Sequence, residues 1–171
     1  IKTENPKIHI VIVTNGSHKK PSWWIELGGV LNEYDNINFS IDGYDNDSNN
    51  LYRVNSNFDT IIDGISAFRS VNQTSFLSWA LIVFKFNEYK LAHIENIATN
   101  LGMDTLQITK STKFGSKYGE AYGGENDSLE PSPQWISSTH RYERSTKNLS
   151  GRVQDITDYI DKNTKKYNRS D

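Results

Sequence analysis

The chain has 171 residues, 35% of them hydrophobic and 12% aromatic, with a formal charge of -2 from 19 basic and 21 acidic side chains. This content supports one folded core and argues against disorder, while the spread of both charge signs offers no basic patch to nucleic acid or an anionic membrane. No run reaches the roughly 18 apolar residues of a membrane helix, and the lack of cysteine excludes disulfides and thiolate metal sites within these residues and fits a reducing, cytoplasmic compartment.

The opening Ile1-Lys2-Thr3-Glu4 is neither a signal peptide nor a Met start, so the expectation is a fragment or a processed product. Residues 8 to 13, IHIVIV, form a short β-branched run stopped by Thr14-Asn15-Gly16, which suits a strand buried on both faces. Pro21 then opens a stretch in which Trp23, Trp24, Leu27, Leu31 and Tyr34 recur at helical spacing. Gly28 and Gly29 inside it cost about 1 kcal/mol each relative to Ala, so close packing or a weak helix is implied. In the next segment Ile37, Phe39 and Ile41 alternate with Asn38, Ser40 and Asp42, the pattern of a strand with one apolar and one polar face.

Phe58, Ile61, Ile62, Ile65 and Phe68 make a helical stripe behind an Asn57 cap, and SWALIVFKF reads as a buried strand. Tyr89, Leu91, Ile94, Ile97, Ala98 and Leu101 form another helix closed by Gly102, followed by the strand DTLQIT. The alternation predicts parallel strands near 8 to 14, 37 to 41, 77 to 85 and 105 to 109, adjacent in chain order and joined by helical crossovers. From Lys110 onward the sequence turns rich in Gly, Ser, Pro and charge. Residues 113 to 135 read as irregular, and the spacing of Val153, Ile156 and Ile160 fits a short C-terminal helix.

Period-two geometry puts Ser40 and Asp42 on a common face of their strand, and by the same parity Lys85 with Asn87 and Gln107 with Thr109, each pair at the C-terminal end of its strand. Parallel α/β proteins form their sites at such ends. Ser40, Asp42, Asn87 and Thr109 are therefore expected to converge on one cavity with Asn15 at its rim. As strand ends alone, the same pairs could equally begin loops, and Lys85 could reach solvent.

Other constellations carry less. Asp45-Asn46-Asp47-Ser48-Asn49 resembles the start of a calcium loop, but Asn50 stands where Gly is needed and Ser56 where Glu is needed, so a turn is expected. His9, His18, His93 and His140 lack metal-ligand spacing.

The stretches TNG, FSIDG, NLYRV, IVFKFNE and MDTLQITKST, in this order on successive strands, resemble the radical S-adenosylmethionine enzymes, over roughly residues 8 to 112. The likeness is closest to the branch with a C-terminal auxiliary-cluster domain. It implies an α/β fold in which residues 1 to 112 supply the third to sixth strands of a TIM-like partial (β/α)6 barrel and residues 113 to 171 a polar extension. It also implies S-adenosylmethionine as cofactor and a 4Fe-4S cluster held by a CxxxCxxC motif in the full-length protein, which this chain lacks.

Carried over onto this sequence, Thr14 and Asn15 would lie beside the cofactor, with Ser40 and Asp42 near its ribose and amino-acid portions. Arg53 would pair with its carboxylate, and Asn87, Gln107 and Thr109 would complete the lumen. The implied reaction is reductive cleavage of the cofactor to a 5′-deoxyadenosyl radical that takes hydrogen from a small-molecule or peptide substrate. No catalytic residue follows from the resemblance, and these residues alone would be inactive. Two alternatives stand beside it: an aldolase-like barrel with Lys85 or Lys110 as Schiff-base lysine, and a non-catalytic α/β binding domain.

Overall fold

The computed structural model describes residues 1–110, 129–131 and 139–143. β1 (Val11–Thr14) leads to α1 (Pro21–Val30), β2 (Asn36–Ser40), the short α2 (Asn46–Asn50), α3 (Phe58–Val71), β3 (Phe76–Val83), α4 (Leu91–Asn100) and β4 (Thr105–Lys110), and β5 spans Thr139–Glu143. The strands form one sheet in the order β1-β2-β3-β4-β5. The first four are parallel neighbours in chain order, as the alternation predicts, and β5 runs antiparallel to β4. Together these elements make an α/β fold around a four-stranded parallel sheet. The antiparallel β5 lies in the stretch read as a polar extension, and the helix expected around residues 153 to 160 lies outside the described residues.

Local chemistry sets the helix ends. Asn57 accepts from Thr60 N at 2.8 Å and so caps α3, while Pro21 opens α1 where a missing N–H costs nothing. Gly102, at φ 72°, takes up the left-handed turn after α4. Of the glycines in α1, Gly28 is a contact point: a Cβ there would meet Val71 at 2.6 Å, whereas Gly29 faces open space. Gly64 of α3 likewise lies against the Trp24 ring. The two helices approach each other at side-chain-free positions, so the Gly28 expectation of close packing is met.

Among the described residues the hydrophobic core lies on one side of the sheet. Ile37, Phe39, Leu77, Trp79, Leu81 and Leu106 form its floor, covered by Trp24 of α1, Ile61, Ile65 and Phe68 of α3, and Ile94 and Ala98 of α4. A sheet that grows in one direction through crossovers of one hand puts every connecting helix on the same face. The register then assembles the opposite face in rows: Val13, Asn38, Ser78 and Thr105; Ser40, Ala80 and Gln107; Ile82 and Thr109. On this face Val11 and Val13 are 55% and 67% exposed. That corrects the expectation of a first strand buried on both sides, because β1 is an edge strand whose second face meets no described helix. Among the described residues no helix is long and apolar enough to cross a membrane.

Candidate functional site at the carboxyl ends of the strands

β2 gives way to a polar corner at Ile41-Asp42-Gly43. Ile41 N still donates to Ala80 O at 3.1 Å, and Ile41 O accepts from the Trp79 indole at 2.8 Å. Asp42 is fully buried, and its Oδ1 accepts from Ile82 N at 2.7 Å, satisfying a donor at the end of β3 that β2 is too short to reach. Its Oδ2 lies 2.6 Å from Arg53 Nε, an ion pair without the alignment of a hydrogen bond. Burial pushes the Asp42 carboxyl above the usual carboxylate range, against the opposing pull of the Arg53 charge and the Ile82 N–H.

The turn that follows fixes this corner. Asp45 caps α2 by accepting from Ser48 N at 2.7 Å, while the Ser48 hydroxyl accepts from Asp45 N at 3.1 Å, a reciprocal capping box. The segment with calcium-loop character is thus a capped helical turn. It presents Asn49, whose Oδ1 accepts from Asp42 N and Gly43 N and whose Nδ2 donates to Ser56 Oγ. Gly43 is required there, since a Cβ would stand 2.2 Å from Asn49 N.

Asn87 completes the corner from the other side. β3 ends at Val83 and residues 85 to 89 form turns, so period-two parity does not extend to Lys85 and Asn87. Asn87 folds back, accepting from Phe84 N at 2.8 Å and donating to Asp42 O at 2.7 Å and Ile82 O at 2.9 Å. Lys85 is exposed, not enclosed in the apolar pocket that activates a Schiff-base lysine.

The residues read from the sequence therefore separate into three groups. Ser40, Gln107 and Thr109 share the face opposite the described helices, half-buried, with the small Ala80 between Ser40 and Gln107. Asp42, Arg53 and Asn87 meet through direct bonds at the carboxyl ends of the strands. Thr14 is in register with Phe39 and so belongs to the helix-covered face, where its hydroxyl accepts from Gly16 N; Asn15 is exposed and accepts from Ser17 within its own turn.

Three contributors escaped the sequence reading. Asn49 organises the corner from seven residues downstream of Asp42. Asn36 and Asn38, on the face opposite the described helices, each bury an Oδ1 that has no hydrogen-bond partner among the described residues. The alternation around Asn38 carried that signal, because a polar residue inside the polar face of a strand is a candidate wherever the face is not wet.

The anchored guanidinium has an uneven environment. Arg53 is 23% exposed in its side chain, with Nε buried against Asp42. Its guanidinium centre lies 5.9 Å from the Tyr52 ring, within cation–π range. A planar fork held by one edge leaves the other edge for a carboxylate or phosphate. Among the described residues no group of three or more His, Cys, Asp or Glu is arranged to hold a metal ion. No protein-family model matches the chain, and no curated protein matches it.

Proposed function

We propose that this chain supplies part of the S-adenosylmethionine pocket of a radical S-adenosylmethionine enzyme. The observation that carries the reading is the one-sided sheet: its described helices cover one face, and the other presents Asn36, Asn38, Ser40, Gln107 and Thr109. A polar face of this kind suits the lumen of a barrel better than a second packing surface, since buried polar atoms need partners. Two carboxamide oxygens without a partner among the described residues, on Asn36 and Asn38, suit ribose hydroxyl, amino or ammonium donors. The partly exposed Arg53 guanidinium suits the carboxylate of the cofactor's amino-acid portion.

In this reading the residues of the chain bind and orient the cofactor and keep water from it, while the cofactor supplies the radical that removes hydrogen from substrate. The cluster does not fit onto these residues, because none of the 171 is cysteine. On this reading a full-length protein would hold it through a CxxxCxxC motif that these residues lack. The test is the natural reading frame ahead of Ile1 together with its product. A CxxxCxxC segment there, and reductant-dependent formation of 5′-deoxyadenosine by the anaerobically reconstituted protein, would support the reading. A frame without such a segment would overturn it.

A further inference from the structure

We infer that Asp42 is a positioning residue: it touches no ligand itself and acts by holding the Arg53 guanidinium so that its outer edge meets a ligand carboxylate. The inference rests on the cofactor reading above and departs from the expectation that Asp42 approaches the cofactor directly. Both carboxylate oxygens are already engaged, Oδ1 by Ile82 N at 2.7 Å and Oδ2 by Arg53 Nε at 2.6 Å, and the residue is fully buried. Its backbone is fixed as well, with the N–H on Asn49 Oδ1 and the carbonyl accepting from Asn87 Nδ2. A carboxylate buried in this way, with Oδ1 bonded to the backbone and Oδ2 against a guanidinium, has no surface to offer a ribose.

Arg53 differs in each respect. It follows α2 and the turn after it, keeps about a quarter of its side chain open, and among the described residues its guanidinium is tied to the sheet through Nε. An arginine in such a turn has many rotamers, and one charged contact at its inner edge selects among them before a ligand arrives. Asn49 gives the corner a further constraint, because it accepts from Asp42 N while Asn49 O accepts from Arg53 N at 2.8 Å. The acid and the base are thereby set at a defined separation by the same short segment.

Two probes separate the roles: S-adenosylhomocysteine, which carries the amino-acid carboxylate, and 5′-methylthioadenosine, which keeps the adenosine and lacks it. Calorimetric titration of the full chain should show tighter binding of the first. Arg53→Gln should cut that preference about ten- to a hundredfold, the range of lost charge-assisted hydrogen bonds. Asp42→Asn should remove most of the same preference and leave binding of 5′-methylthioadenosine unchanged. The double variant Asp42→Asn/Arg53→Gln leaves neither charge unpaired and serves if Asp42→Asn alone does not fold. It should bind both probes as Arg53→Gln does, because a residue acting only through Arg53 adds nothing in its absence. Weaker binding of 5′-methylthioadenosine by either Asp42 variant would mean that Asp42 contacts the nucleoside, and would overturn the inference while leaving the cofactor reading standing. Failure of the unmodified chain to bind either probe would bring down the cofactor reading and the inference with it.

Discussion

The two ends of the parallel sheet use the same chemistry to different effect. At the amino end Asp104 accepts from Leu77 N at 2.7 Å and pairs with Arg69 at 2.6 Å; at the carboxyl end Asp42 accepts from Ile82 N at 2.7 Å and pairs with Arg53 at 2.6 Å. Each aspartate thus satisfies a β3 donor and neutralises an arginine. The difference lies in the cations. Arg69 also donates to Gly102 O and Ser75 O and is almost entirely buried, whereas the Arg53 side chain is partly exposed. The amino end is closed by its own bonds, while the carboxyl end, where parallel α/β folds form their sites, keeps a partly exposed cation.

The most severe test of the contrast is the closed end. Asp104→Ala would strand the buried Arg69 and leave Leu77 N unsatisfied, and it should destabilise the fold by about 3–5 kcal/mol in denaturant unfolding. The matching change at the open end, Asp42→Ala, also orphans a backbone donor, but Arg53 can turn to water. Its expected cost is about 1–3 kcal/mol. Equal losses for the two variants would show that Arg53 is as tightly held as Arg69, and the proposed carboxylate site would lose its basis.

This contrast marks how far the sequence could be read. The four parallel strands, the helices between them and the Asn57 and Gly102 ends follow from periodicity and capping, because those signals are local. The alternation of Ile37, Phe39 and Ile41 with polar residues correctly separates a core face from a polar one. What failed was parity past the strand ends. Asn87 stands in a turn after β3 and reaches back to Asp42, a contact across 45 residues that no local period encodes. The Arg53 pair with Asp42 is equally hidden, since it depends on how α2 folds the chain back. The capping-box spacing of Asp45 and Ser48 was present in the sequence and would have located that helix.

A gentler change sharpens the role of the fork itself. Arg53→Lys keeps a cation near Asp42 and should shift stability by no more than about 1 kcal/mol, as expected for a partly exposed ion pair. The ammonium lacks the planar double edge, so the preference for S-adenosylhomocysteine over 5′-methylthioadenosine should fall nonetheless. Retained preference with unchanged stability would mean that a point charge suffices there.

The smallest effect expected is a difference in pH dependence between two buried aspartates. At Asp35, burial alone would raise the carboxyl, but the Lys2 ammonium at 2.7 Å and the N–H groups of Asn32 and Ile10 together hold it below its ordinary value. The unfolded chain, titrating near about pH 3.9, then binds the proton more readily than the fold. Stability from Asp35 is present above that pH and is lost as pH falls through the folded value. Asp42 has the opposite sign: its carboxyl is raised, so the fold binds the proton more readily, and stability increases as pH falls from the raised value toward about 3.9. Unfolding free energies measured from neutral pH down to about pH 3 should accordingly show that Asp35→Asn weakens the acid loss of stability. Asp42→Asn should remove a gain at higher pH and make acidification more damaging relative to neutral pH. If both substitutions bend the profile in the same direction, Asp42 is stabilised as a carboxylate like Asp35, and the corner at the carboxyl end is a second closed lock.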